Sequence, residues 1–354
     1  DSSLAGPYYN KGIILKRNGR IEEAIDSYKK AISLKPDYVQ AYNNLALIKK
    51  EQGLVEEAVK LLLKVLDLNP EHSEAKYNIA ILKKDTGSIK EAKKYLQEIL
   101  KSNKSNEDAI TSLASILFES GNLKSATSFL KKVTKTNRTN VILSHYLGLC
   151  LVSIGDFKRG WNAIESRWKE EDGKSSHWFK SAKKMWKGNK TEKSIVLWKR
   201  RQGLGEDIIF LSLVREVKEM CEALSVYVDP RLQPLCRRAM PEINFVRDID
   251  SLQNVECDYH LPLGSVPGLI RNDMSDFDRT VTGYLKADLK RVEAIRNELK
   301  LDGKTVIGIS WKSFKSLNQT KKSVQLKDME RIFLGLDVVL VNLQYGDVDD
   351  EIRE

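Results

Sequence analysis

The sequence predicts an α-solenoid followed by an α/β lobe and the start of a second α/β lobe. Glycine recurs at a constant spacing of 34 residues at Gly19, Gly53, Gly87, Gly121 and Gly155. From Ser194 onward, short apolar runs alternate with helix-like segments, which is typical of a parallel sheet with crossover helices. The chain of 354 residues has 41% hydrophobic content, enough to bury the cores of two or three domains.

The first 155 residues carry a second set of periodic positions that predicts pairs of packed helices. Helix pairs need small residues where their axes cross closely, and small residues recur in the same frame at Gly12, Ala46, Ala80, Ala114, Gly148 and at Ala24, Ala58, Ala92, Ala126. Pro36 and Pro70 end the second helix of the first two units. The pattern resembles the tetratricopeptide repeat, with four full copies and a fifth that departs near Gly160. Such repeats stack into a superhelix with a concave groove.

Asparagine recurs in the same frame on the first helix of three units, at Asn10, Asn44 and Asn78. This part resembles the superhelix of O-linked N-acetylglucosamine transferases, in which an asparagine ladder lines the groove and hydrogen-bonds the backbone of an extended peptide. An amide offers both a donor and an acceptor to a main chain. The alternative is that these side chains satisfy local backbone groups.

Residues 156–193 form a predicted helical junction, because tryptophan is dense around them at Trp161, Trp168, Trp178, Trp186 and Trp198. These aromatics either pack the last repeat against the next domain or form a platform for a sugar. The first α/β lobe is expected over 194–300, with strands at 195–198, 225–228 and 243–246. The second is expected over 301–354, with strands at 305–310 and 338–343.

The loop after the first of these strands is the place where ligands bind in parallel sheets. It contains Gln202, Gly203, Gly205, Glu206 and Asp207. Its glycines permit close backbone approach, and a helix that starts near Glu206 directs free N–H groups at a ligand. No glycine follows three residues later, so the loop is not a dinucleotide fingerprint. A tight turn without a ligand is the alternative.

The loop, the segment 258–267, the segment 307–312 and the segment 342–347 occur in the order seen in bacterial repeat-linked glycosyltransferases. This resemblance to enzymes of the two-Rossmann (B-type) fold, which heptosyltransferases share, covers the first lobe and the opening of the second. It implies that the first lobe holds the acceptor and the second a nucleotide-sugar donor. The part of the second lobe that completes the donor site would lie past Glu354.

The resemblance also assigns roles to residues. Family members carry Asp as the base directly after the second glycine, where this chain has Glu206 followed by Asp207. Gln202, Gly203, Gly205 and His260 are expected on the acceptor side, although a lone His is often structural. The donor side is expected to contain Trp311, Lys312, Lys315 and Gln344, with Lys321 and Lys322 nearby; Trp311 is equally a packing residue.

Composition narrows the functional classes further. The net charge of +10 is spread among Glu and Asp at helical spacing, which disfavours a nucleic-acid surface. No run approaches the ~20 apolar residues of a membrane span, and the four cysteines lack metal-ligand spacing. These observations favour a cytoplasmic protein without a metal or other cofactor, and the resemblance implies a glycosyltransferase that uses a nucleotide-sugar and binds its acceptor or a partner protein through the repeats. The alternative is a non-catalytic scaffold with a degenerate transferase domain.

Overall fold

A computed structural model describes residues 2–137, 139–168, 179, 183–199, 203–277, 283–299, 303–312, 323–344 and 346–353. The chain divides into two compact units. The first consists of Asp1–Pro230 and Ile243–Thr282, and the second of Arg231–Glu242 and Gly283–Glu354.

The amino-terminal part of the first unit is an array of paired helices. Its helices are α1 (Ala5–Arg17), α2 (Ile21–Leu34), α3 (Val39–Glu51), α4 (Val55–Leu68), α5 (Ser73–Asp85), α6 (Ile89–Ser102), α7 (Glu107–Glu119), α8 (Leu123–Thr136), α9 (Val141–Ser153) and α10 (Phe157–Ile164). The five glycines that set the period of 34 all have positive φ, between 71° and 84°. Each ends the turn between the two helices of a pair, in a conformation that L-residues adopt only at a cost.

Small and large side chains interlock between the helices of this array. A Cβ atom added at Gly12 would lie 2.6 Å from the ring of Tyr28, so glycine is required for α1 to approach α2. Further along, Ala46, Leu62 and Ile79 belong to one buried cluster that spans consecutive pairs. Because each pair buries its apolar face against the next, the array has a continuous core, as the periodicity predicts.

The rest of the chain combines short helices with parallel strands. Its helices are α11 (Leu204–Leu211), α12 (Val214–Lys218), α13 (Gln233–Ala239), α14 (Ile249–Gln253), α15 (Val266–Ile270), α16 (Leu289–Glu298), α17 (Leu326–Phe333) and α18 (Asp349–Arg353). Its strands are β1 (Lys184–Met185), β2 (Ser194–Trp198), β3 (Ala223–Tyr227), β4 (Asn244–Phe245), β5 (Tyr259–Pro262), β6 (Thr305–Ile309) and β7 (Val338–Asn342).

The described residues of the first unit form a parallel sheet in the order β1-β5-β2-β3-β4. Its central strand β2 is almost wholly buried, as expected for a parallel strand covered on both faces. Phe179, Trp198 and Cys257 belong to the core beside it. The edge strand β1 lies in the segment that the sequence predicts to be a helical junction, because Lys184 and Met185 pair with β5.

The second unit contains α13, α16, α17 and α18 together with the parallel pair β6–β7. Register is regular, with Gly308 opposite Val341 and Ile309 opposite Asn342. All four cysteines of the chain are free and buried. No described helix combines the length and the apolar character that crossing a membrane requires.

The last helix of the array is joined to the sheet region by specific contacts. Trp161 on α10 donates from Nε1 to the carbonyl of Arg271 at 2.7 Å, and Phe157 stacks on Phe277. Arg271 is only 2% exposed, and its guanidinium binds both oxygens of Glu216 on α12. Trp161 therefore packs a junction, which is the first of the two roles that the sequence allows for these tryptophans.

Candidate functional site

The first helices of successive pairs, α1, α3, α5, α7 and α9, share one face of the array, called the A-helix face below. Side-chain hydrogen bonds join neighbouring members of this set: Asn44 Nδ2 lies 3.3 Å from Tyr9 Oη, Asn43 Nδ2 lies 3.1 Å from Glu74 Oε1, and Tyr77 Oη lies 3.2 Å from Ser112 Oγ. These contacts link α1 to α3, α3 to α5 and α5 to α7.

The three asparagines of the predicted ladder all lie on this face, with decreasing exposure along the chain. Asn10 is exposed, Asn44 is half-buried and Asn78 is buried. Asn44 donates to the hydroxyls of Tyr9 and Tyr28, and Asn78 Oδ1 accepts from Lys50 Nζ at 3.4 Å. Within the described part of the array, none of the three side chains bonds a backbone group, and neither Asn44 Oδ1 nor Asn78 Nδ2 has a hydrogen-bond partner.

The loop between β2 and α11 holds the two carboxylates predicted to act as a base. Glu206 is exposed, and its Oε2 accepts a hydrogen bond of 3.0 Å from the backbone N–H of Gly203. This contact caps the start of α11. Gln202 lies outside the described residues. Gly203 has φ −68°, and a Cβ atom there would meet no atom within 4 Å, so its conformation does not require glycine.

Asp207 is fully buried, at 0% exposure. Its Oδ2 lies 2.6 Å from Lys199 Nζ, which also lies 3.3 Å from Asp229 Oδ2. Burial raises the pKa of Asp207, although the hydrogen bond and charge of Lys199 act in the opposite direction. The three residues thus form an ion-paired cluster at the carboxyl edge of the sheet, since Lys199 follows β2 and Asp229 lies just beyond β3.

His260 lies inside the sheet region, on β5. Its Nδ1 is 3.3 Å from the indole N–H of Trp198, which can only donate, and its Nε2 is 3.1 Å from the carbonyl of Lys183. These partners fix a neutral imidazole with the proton on Nε2. Burial lowers the pKa of His260. Both ring nitrogens are therefore used in holding β5 to its neighbours.

The residues predicted for the donor side come together at the carboxyl ends of β6 and β7. Gln344 Oε1 accepts from the backbone N–H groups of Trp311 at 2.9 Å and Lys312 at 2.7 Å, and Gln344 Nε2 donates to the carbonyl of Lys312. Lys312 pairs with Glu351, which also accepts from the indole of Trp311. Lys315, Lys321 and Lys322 lie outside the described residues, as does Trp178.

Three members of these clusters were not singled out from the sequence: Lys199, Asp229 and Glu351. Lys199 and Asp229 each lie just past the end of a strand, and this position was the signal that could have identified them. Glu351 carries no such signal, because its contact with Lys312 depends on how α18 packs. Within the described ranges, no group of His, Cys, Asp and Glu side chains is arranged to hold a metal ion.

Comparison with known families identifies the helical array. The family described as "TPR repeat" matches residues 12–53, and the family described as "Tetratricopeptide repeat" matches residues 50–116 and 83–147. The helical array consists of tetratricopeptide repeats. The matches together cover 12–147, which contains four of the five recurring positive-φ glycines, Gly19, Gly53, Gly87 and Gly121.

Individual proteins resemble the chain over longer or shorter stretches. Protein FlbA of Caulobacter vibrioides is 26% identical over 220 residues, which is 57% of this chain and 37% of FlbA. MamA 41-end from Desulfovibrio magneticus RS-1 is 20% identical, covers 48% of this chain and 97% of that structure, and superposes with a TM-score of 0.44. YrrB, described as a TPR protein with an unusual peptide-binding site, is 20% identical. The match covers 47% of this chain and 87% of the YrrB structure, with a TM-score of 0.41.

Proposed function

We propose that the chain is a protein-binding scaffold whose tetratricopeptide array holds an extended segment of a partner on the A-helix face. The observation that carries this proposal is the state of the asparagine ladder. Asn44 and Asn78 lie on one face with an amide oxygen and an amide nitrogen, respectively, that no described residue engages. A peptide main chain supplies the matching donor and acceptor.

The surroundings of the ladder support the same function. Tyr9 and Tyr28 hold the Asn44 amide through their hydroxyls, so its orientation is fixed before a peptide arrives. Pre-oriented groups lose less conformational freedom on binding, and the association is correspondingly tighter. Amides that bind the main chain contact few of the peptide's side chains. We therefore expect the groove to bind peptides of many sequences.

A library of randomised decapeptides selected on the purified chain tests the proposal. Selected peptides should bind wild type, and the Asn44→Ala/Asn78→Ala double variant should bind them about ten-fold more weakly, because two hydrogen bonds are lost. Asn18→Ala is the matched control, since Asn18 caps α1 in a turn and should leave binding unchanged. Equal binding by the double variant, or no selected peptide at all, would contradict the proposal.

A second candidate function is transfer of a sugar from a nucleotide-sugar, as the resemblance of the α/β part implies. Two observations favour it: the carboxyl edge of the parallel sheet carries the cluster of Lys199, Asp207 and Asp229, and the ends of β6 and β7 bring Trp311, Lys312 and Gln344 together. Against the predicted base, Asp207 is buried in an ion pair and Glu206 caps a helix. Under this hypothesis Glu206, the exposed carboxylate, is the better candidate.

Donor consumption separates the two functions. The chain would be incubated with UDP-, GDP- and ADP-sugars beside Glu206→Gln and Asp207→Asn variants. Release of nucleotide by the wild-type protein that is lost in Glu206→Gln would support transfer. If no donor releases its nucleotide while peptide binding is intact, the result would support the scaffold function.

A further inference from the structure

A second periodic feature of the A-helix face is a row of three lysines, Lys16 on α1, Lys50 on α3 and Lys84 on α5. They occupy the same place in consecutive repeats. Lys16 Nζ lies 2.8 Å from Glu51 Oε1, and Lys84 Nζ lies 2.9 Å from Glu119 Oε1. In both pairs the carboxylate comes from the first helix of the following repeat, so these two lysines are neutralised within the array.

Lys50 departs from this rule. The residue that corresponds to Glu51 and Glu119 in the following repeat is Asp85, whose side chain is shorter by one methylene group. Asp85 is exposed and makes no ion pair among the described residues. Within the described array, the sole hydrogen bond of the Lys50 side chain is the one of 3.4 Å to the neutral amide oxygen of Asn78. The middle of the row therefore carries an uncompensated positive charge.

We propose that Lys50 and Asn78 form a subsite on the A-helix face for an acidic side chain, Glu or Asp, of a bound extended protein segment. This inference rests on the proposed peptide-binding function and adds a sequence preference to it. Lys50 supplies a charge and Asn78 Nδ2 supplies a second donor beside it. The two donors are neighbours, because Lys50 Nζ lies 3.4 Å from the oxygen of the same amide group, and a pair of neighbouring donors suits the two oxygens of a carboxylate.

Because the subsite lies next to the ladder, it would fix the position of the bound peptide along the groove. Asn78 belongs to the set of amides proposed to hold the peptide backbone. The acidic side chain that binds Lys50 would therefore belong to a residue next to the backbone group that the ladder holds. The neutralised lysines at Lys16 and Lys84 offer no comparable attraction, because a second carboxylate would face Glu51 or Glu119 as well. A single acidic residue near the middle of the bound segment is therefore preferred.

Two pools of randomised decapeptides test the subsite, one with Glu and one with Gln fixed at the fifth position. Wild type should capture the Glu pool about five-fold more strongly than the Gln pool at low salt, as expected for one partly shielded charge contact. The preference should shrink as salt is raised. Capture is measured by fluorescence anisotropy on the full chain.

Three variants sharpen the test. Lys50→Met should abolish the preference, and Asp85→Glu should abolish it too, because the longer side chain can pair with Lys50 as Glu51 pairs with Lys16. Lys16→Met is the matched control and should retain the preference. Equal capture of both pools by wild type, or a preference that survives Lys50→Met, overturns the subsite while the peptide-binding function stands. Capture of neither pool overturns both.

Discussion

The tetratricopeptide array and the sheet region differ in how their polar side chains are used. On the A-helix face, hydrogen bonds run between side chains of neighbouring repeats, and no described residue engages Asn44 Oδ1 or Asn78 Nδ2. In the sheet region, both ring nitrogens of His260, Oδ2 of Asp207 and Oε2 of Glu206 hold local structure. In the second unit, Gln344 does the same for the chain that follows β6.

This difference indicates which region of the chain can bind a ligand without first losing a hydrogen bond. A group that already has its hydrogen bonds must break one before it binds something else, and that loss offsets the new contact. A group with an open position does not. The array therefore offers binding capacity at little structural cost, whereas the clusters of the α/β part are first of all structural elements. Four predictions test the contrast.

The largest expected effect is at the junction of the two regions. Arg271→Ala should lower the free energy of unfolding of the first unit by about 3 kcal/mol, because it removes a buried guanidinium that binds Glu216 and leaves that carboxylate unpaired. Urea unfolding followed by tryptophan fluorescence measures the change. Arg271→Met combined with Glu216→Leu should recover much of the loss, and a single variant as stable as wild type would refute the role of this ion pair.

The next effect concerns Gln344 in the second unit. Gln344→Leu should destabilise this unit by about 2 kcal/mol, because the N–H groups of Trp311 and Lys312 lose their common acceptor. Hydrogen exchange of those amides, followed by mass spectrometry, should become faster. If Gln344 only shaped a donor pocket, exchange of these two amides would remain slow in the variant.

A pair of glycine substitutions compares the two regions directly. Gly53→Ala should cost about 1 kcal/mol, because Gly53 has φ +75° and an L-residue is strained there. Gly203→Ala should leave stability unchanged, because its φ is −68° and its surroundings are open. Thermal unfolding of both variants checks this. Loss of donor turnover in a stable Gly203→Ala variant would favour the transferase hypothesis for the loop.

The smallest effect is a dependence of stability on pH through His260. Burial lowers its folded-state pKa below the ordinary value of 6.5, so the unfolded chain takes up a proton first as the pH falls. His260 therefore stabilises the fold above about pH 6.5, and this contribution is lost progressively as the pH falls toward the folded-state pKa. The melting temperature of wild type should fall more steeply between pH 7 and 5 than that of His260→Gln. Parallel slopes would show that other groups dominate.

The sequence predicted the array closely, since a period of 34 reflects a local requirement for positive φ in each turn. The central strands were also predicted, because their apolar runs are continuous: the predicted 195–198 lies inside β2, and the predicted 305–310 coincides with β6 except at its end. The strand β1 was not predicted, because its two residues are exposed and are in a strand only through their pairing with β5. Trp311 and Gln344 lie just past strand ends and Glu206 lies in the first turn of a helix, as expected from the sequence, but the residues that their side chains contact were not predicted.

By itself, the sequence determined the repeat, the face on which Asn10, Asn44 and Asn78 lie, and the alternation of strands and helices. These follow from the geometry of single helices and turns, which depends on residues close together in the chain. Only the tertiary structure decided which polar groups remain open. Lys16 and Lys50 occupy the same register, yet one meets Glu51 and the other only the amide of Asn78, because the partner comes from another helix and its reach depends on how the helices pack.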